Sequence, residues 1–422
     1  MRNASLITVL AFAVGATALS TAQELPSFES LPERAELPDL FVMMDGSRVK
    51  TTEDWYRKRR PELKLLFQHY MYGYMPEPPG IESRKEVDDA PILDGKGTLR
   101  QVVISFKGLP EDAPKIHLAL FLPKSDKPVP AFLAMNKCGN QTVLDDPAIL
   151  INDAAYVHKE CPGPPESIRG KDKDFWCVPY LIERGYGFAT YHESDIDPDM
   201  HDFTDGIHPC FTDLEGPKES AWGTIAAWAW GLHRCVDYLS TEPAIDKTRI
   251  CVTGHSRRGK TALLAAAFDE RIALVVPHQS GTGGSALSRE NDQETIERIN
   301  RVFPHWFNDE FVKFGDHENK LPIDQHLLMA LVAPRALLDT AGLQDTWANY
   351  ESSLRALRAA APAWRFLGAI GMVGDGVLSD PAKVTRENSG SLLQYRRDTK
   401  HTMDRGYWEA ILDFADLQFS PR

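Results

Sequence analysis

Two hydrophobic periods alternate along this chain. Helical spacing appears from residue 52, where Trp55, Leu63, Leu66, Phe67 and Tyr70 fall on one side of a helix. A proline-rich passage from Pro76 to Pro79 ends it. Beyond residue 100 the period shortens. Residues 101–106 and 116–122 alternate apolar and polar positions, which reads as a pair of strands. Residues 129–135 are more continuously apolar, as expected for a strand buried on both faces. Further strands are expected at 186–191, 249–253, 273–277, 335–338 and 364–370. Helices separate them. The strongest covers 221–239, with Trp222, Ile225, Trp228, Leu232 and Val236 along one side, and an amphipathic one over 407–419 comes last. Such alternation implies right-handed crossovers and a mostly parallel sheet with helices on both faces, the three-layer α/β class.

The organisation around that sheet follows from composition. Residues 6–19 are almost wholly apolar, Arg2 is the only charge before Glu24, and Ser20 and Ala22 precede Gln23. That order reads as a secretory signal peptide over 1–22 and an exported protein, periplasmic or extracellular. Residues 23–100 then form an N-terminal arm and helix packed on the core. Residues 101–422 form the catalytic domain, with a Pro/Gly-rich insertion around 137–217. The net charge of −13 argues against nucleic acid and against anionic membranes, since both need a basic surface. A monomer is expected. Six cysteines allow fifteen disulfide pairings, and none is spaced as a zinc ligand set.

Candidate chemistry centres on Gly254-His255-Ser256-Arg257-Arg258-Gly259-Lys260. An apolar strand enters a tight Gly-flanked turn and leaves directly into an Ala-rich helix, the context of the nucleophile elbow in α/β-hydrolases. Ser256 is the expected nucleophile, with backbone N–H groups at the helix start facing an oxyanion. The usual elbow has Gly two residues after Ser; here Arg258 stands there and Gly259 follows. Of the 13 histidines, His401 fits the Ser–acid–His chain order, whereas His255 adjoins the nucleophile and projects elsewhere. Asp345 sits in the loop after the strand at 335–338 and is expected to orient that base. Asp339, nearer the strand, competes; Asp404 is too close in sequence to His401. Residues 192–201 hold several carboxylates and imidazoles, but without the pattern of a calcium loop they read as a solvated turn. No metal or organic cofactor is expected.

Together with Gln279-Ser280-Gly281-Thr282-Gly283-Gly284, Asp345-Thr346-Trp347 and the C-terminal His401, the elbow resembles the glucuronoyl esterases of carbohydrate esterase family 15. The resemblance runs from about Trp55 to the end. It implies hydrolysis of esters between 4-O-methyl-glucuronic acid side chains of xylan and lignin alcohols. Carried over by position, it makes Arg257 the oxyanion-stabilising group, has Lys260 bind sugar hydroxyls and lets Glu294 and Trp347 also line the uronate pocket. Some members of the family carry the triad acid as Glu where this chain has Gln279, which sends that role to Asp345 and leaves Gln279 as a substrate contact or a strand-end hydrogen-bonding residue. Another carbohydrate esterase, such as an acetyl-xylan esterase, would need a small apolar acyl pocket. A non-catalytic sugar-binding module would lack part of the Ser, Asp and His set.

Overall fold

A computed structural model describes residues 25–152, 158–161, 163–212 and 218–420. The expected signal peptide, 1–22, lies outside the described residues. Ten strands form a single sheet: β1 (Ile81–Ile92), β2 (Gly97–Phe106), β3 (Ile116–Pro123), β4 (Val129–Asn136), β5 (Gly187–His192), β6 (Ile245–His255), β7 (Ile272–His278), β8 (Ala336–Gly342), β9 (Val377–Leu378) and β10 (Leu392–Arg397). Their order is β1-β2-β3-β5-β4-β6-β7-β8-β10-β9. The β1–β2, β2–β3 and β3–β5 pairs are antiparallel, and every pair from β5 to β9 is parallel.

Side-chain alternation divides the interior into two cores. Leu118, Leu120, Ala131, Leu133, Ile250, Val252, Val275 and Leu337 point to one face, where the helices Arg60–Phe67, Thr224–Leu239, Arg257–Phe268 and Tyr350–Phe366 pack. Their neighbours Ala119, Phe121, Phe132, Ala134, Cys251, Leu274, Val276 and Leu338 point to the other, against the helices Val178–Glu183 and Arg405–Phe419. Every residue of β4 is buried, which explains its unbroken apolar run. Three layers result. The molecule has the α/β-hydrolase fold.

Two elements differ from the sequence expectation. Residues 364–370 are not a strand: Trp364 to Phe366 end the helix Tyr350–Phe366, and Gly368, at φ 79°, turns the chain beyond it. A buried helix end and a buried strand give the same short apolar run, so periodicity alone does not separate them. The strand that leads to His401 is instead β10. At the other edge β1 carries Glu82, Arg84, Lys85, Glu86, Asp88 and Asp89, so it shows no apolar face. Charge of that kind protects a sheet edge from pairing with other chains. Among the described cysteines, Cys138 and Cys161 form a disulfide, while Cys177, Cys210, Cys235 and Cys251 are free thiols.

Candidate active site

Strand β6 ends at His255 and the helix Arg257–Phe268 begins two residues on, so Ser256 occupies the whole turn. Its backbone lies at φ 60° and ψ −125°, a conformation a non-glycine residue adopts only when its surroundings impose it. Gly254 makes this possible, because a Cβ there would stand 2.2 Å from the carbonyl oxygen of Arg258. Gly259 explains the shifted glycine of the motif. A Cβ at 259 would meet the carbonyls of Gly254 and His278 at 2.8 and 2.9 Å, whereas position 258 points away to Glu193. Close approach of helix to strand therefore needs its glycine at 259.

Downstream of β10, His401 turns Nδ1 toward Asp345, whose Oδ2 accepts at 2.6 Å. The carboxylate is buried, while the imidazole is 39 % exposed toward the cavity. Asp339 lies elsewhere. It is fully enclosed, accepts a hydrogen bond from Gln394 at 2.7 Å, and burial pushes its carboxyl up to about 6. Asp404 caps the last helix and pairs with Arg397. Among the described residues no hydrogen bond reaches Ser256 Oγ; such contacts commonly tighten only in the complex with substrate.

Arg257 leaves the elbow toward the segment that follows β5. Its guanidinium pairs with Asp199 and lies 4.9 Å from the Phe303 ring and 4.6 Å from the Trp306 ring. Asp199 also accepts from His305 Nε2 and Trp306 Nε1, both at 2.9 Å. Burial works against the charge on Asp199, but the His305 hydrogen bond and the Arg257 charge outweigh it and hold the carboxyl well below the usual range. Arg258 is paired with the buried Glu193 at 2.6 Å. The stretch is largely buried up to Asp199 and not the solvated turn expected, its other acidic groups held by separate partners: Asp195 meets His117 and Asn152, and Asp197 meets Thr224 and His208. Among the described residues no three His, Cys, Asp or Glu side chains converge as metal ligands.

Lys260, one turn into the helix, is buried and donates to the carbonyls of Ser280 and Thr282, each at 2.6 Å, and to Glu294 Oε2 at 2.9 Å. Those acceptors occupy all three of its protons, so Lys260 has none to give a sugar hydroxyl, contrary to the expectation. Burial lowers its pKa, and the Glu294 charge partly offsets this. Glu294 Oε1 accepts from Trp347 Nε1 at 2.8 Å, and the half-exposed Trp347 ring also carries Arg298 at 5.5 Å. Gln279 is committed at both ends: Oε1 meets His255 Nε2 at 3.1 Å and Nε2 donates to the Lys400 carbonyl at 3.0 Å.

Ser256, Arg257, His255, Arg258 and His401 thus line one cavity of about 340 Å³, together with Lys137, Glu160, Asp172, Phe175, Trp176 and Thr402. Lys260, Glu294 and Trp347 form an adjoining hydrogen-bonded group, and Trp306 stands between the two, 5.9 Å from Lys260 Nζ. Gln279 lies beneath His255, not on the cavity wall. Asp199, Phe303, His305 and Trp306 had no signal in the sequence beyond density of charge and aromatics. A strand–elbow–helix at the carboxyl end of a parallel sheet, with a carboxylate-bound histidine on the same cavity, defines a hydrolase of the serine type.

Comparison with known proteins narrows the class. A family model described as "Glucuronyl esterase, fungi" matches residues 174–368. A carbohydrate esterase, MZ0003, from an unknown prokaryotic organism is 39 % identical over 90 % of this chain and 89 % of its own length. A 4-O-methyl-glucuronoyl methylesterase from Hypocrea jecorina is 30 % identical over 84 % of this chain and 67 % of its own. Among solved structures, a glucuronoyl esterase from Solibacter usitatus superposes with a TM-score of 0.83 at 33 % identity, covering 93 % of this chain and 100 % of that one. The chain belongs to the glucuronoyl esterases of carbohydrate esterase family 15 and is a carboxylic ester hydrolase.

Proposed function

We propose that this enzyme hydrolyses the ester between (4-O-methyl-)glucuronic acid side chains of xylan and lignin alcohols, through an acyl-enzyme on Ser256. The observation that carries the assignment of roles is the 2.6 Å hydrogen bond between His401 and Asp345 on the cavity that holds Ser256. Asp345 fixes the tautomer with hydrogen on Nδ1, leaving Nε2 to take the Ser256 proton. Ser256 Oγ then attacks the uronate carbonyl. The developing oxyanion meets the Arg257 guanidinium, whose remaining N–H groups are not used by Asp199, and the first N–H groups of the Arg257–Phe268 helix. His401 returns the proton to the departing alcohol, and a water repeats the sequence to release the acid.

A uronate is rich in hydroxyls, and a polar acyl side suits it. Trp347, Glu294 and Lys260 supply that side, Lys260 by holding Glu294 in place. An acetyl group would not use them. We read the chain as an exported monomer with a leader over 1–22 and an arm and helix that pack on the catalytic domain. Because β1, β2 and β5 belong to the one sheet, the boundary expected at 100 moves to before Ile81, and the insertion expected at 137–217 is interrupted by β5. No helix of the described residues is long and apolar enough to cross a membrane. Turnover of benzyl glucuronate against acetylated xylose tests the substrate class. Turnover of the uronate ester alone is expected; turnover of acetate alone would overturn the assignment.

A further inference from the structure

Two neighbouring residues at the end of β7 grip the loop that carries His401 from both sides. Gln279 Nε2 donates to the carbonyl of Lys400 at 3.0 Å, and His278 Nε2 meets the carbonyl of Thr402 at 2.8 Å. A carbonyl can only accept, so the His278 hydrogen is on Nε2. Its Nδ1 then accepts from the Thr340 hydroxyl at 2.7 Å. His278 is fully enclosed, and burial lowers it to about 3, so the ring stays neutral and keeps this tautomer. Gln279 Oε1 in turn receives His255 Nε2–H at 3.1 Å, and the His255 ring lies 4.1 Å from that of His401. Burial and the nearby His401 and His278 hold His255 neutral as well. Room for this arrangement depends on Gly342, where a Cβ would stand 2.4 Å from Gln279 Nε2 and 2.9 Å from the Lys400 oxygen.

We infer that His278 and Gln279 are positioning residues that set the distance between His401 and Ser256 by clamping the backbone on both sides of the base. His255, the residue before the nucleophile, is tied through Gln279 to Lys400, the residue before the base. One chain of hydrogen bonds therefore joins the elbow to the base loop. Neither side chain lines the cavity that holds Ser256. The inference rests on His401 being the general base. It also accounts for an amide at position 279, since a carboxylate has no proton to give to the Lys400 carbonyl.

Steady-state kinetics on benzyl glucuronate test it with His278→Leu, His278→Gln, Gln279→Met and His401→Ala. The Leu and Met variants are expected to lose about 10²-fold in kcat at unchanged KM, the scale of a 1 Å misplacement of a reacting group. His278→Gln, which keeps a donor toward Thr402, is expected to recover most of the loss; a role confined to stability would not follow donor chemistry in this way. The clamp is overturned if Gln279→Met retains kcat within about threefold, or if His278→Gln is no better than His278→Leu. Should His278→Leu fail to fold, Gln279→Met decides alone. An active His401→Ala would instead remove the reading of His401 as base.

Discussion

Asp345 is 4 % exposed at its side chain and spends one oxygen on His401, while Ala348 N–H approaches the other at 3.4 Å. In the proposed mechanism its contribution is to select a tautomer. Replacing it with Asn leaves the size of the group unchanged but offers an amide that can hold the imidazole the wrong way round. Asp345→Asn is expected to lower kcat by about 10⁴-fold while the fold is retained, measured by kinetics beside circular dichroism. Asp339→Asn, by contrast, alters a carboxyl that faces Gln394 and is expected to leave the His401 hydrogen bond intact. A loss on Asp339→Asn as deep as that on Asp345→Asn would reverse the two assignments. Position along the chain left both carboxylates open, and only the turn of the backbone after β8 separates them.

At the scale of elements, what was legible depended on how local the signal was. Strand, Gly-bounded turn and Ala-rich helix lie within one run around Ser256, so the elbow could be read with its flanking glycines. The order of the last elements also located His401, although the strand before it is β10 and not residues 364–370. Nothing local announces Asp199. It lies 58 residues before Arg257, in the segment after β5, and gains its meaning from His305 and Trp306, which lie 106 and 107 residues after it. Lys260 shows the same limit. Its charge close to Ser256 was legible, but not the three acceptors that consume its protons. Strand β1 was missed for a different reason, since an edge strand buries little and needs no apolar face.

Over the whole molecule, several histidines are held neutral by burial: His192, His233, His255, His278 and His326 all have lowered pKa values. In the unfolded chain each titrates near 6.5, as an ordinary imidazole does. Their stabilising contribution is therefore complete above pH 6.5 and is lost as pH falls below it toward the folded values, about 3 for His278. Asp339, raised to about 6, works in the opposite direction, as do the raised His117, Glu193, Asp205 and Glu318, while the lowered His69 and His158 add to the five. The urea midpoint is expected to be lower near pH 5 than near pH 7.5, with a slope of up to about 1.4 kcal/mol per pH unit for each histidine; an equal or higher midpoint at the acid end would contradict this. The same interior brings His401, Ser256 and Arg257 onto one cavity, the convergence on which the proposed esterase mechanism rests. The most direct test is rapid-quench mass spectrometry of the enzyme mixed with benzyl glucuronate. A uronoyl adduct confined to the peptide containing Ser256, absent in Ser256→Ala along with turnover, is the predicted result. Undiminished turnover by Ser256→Ala, or an adduct on another residue, would contradict the account.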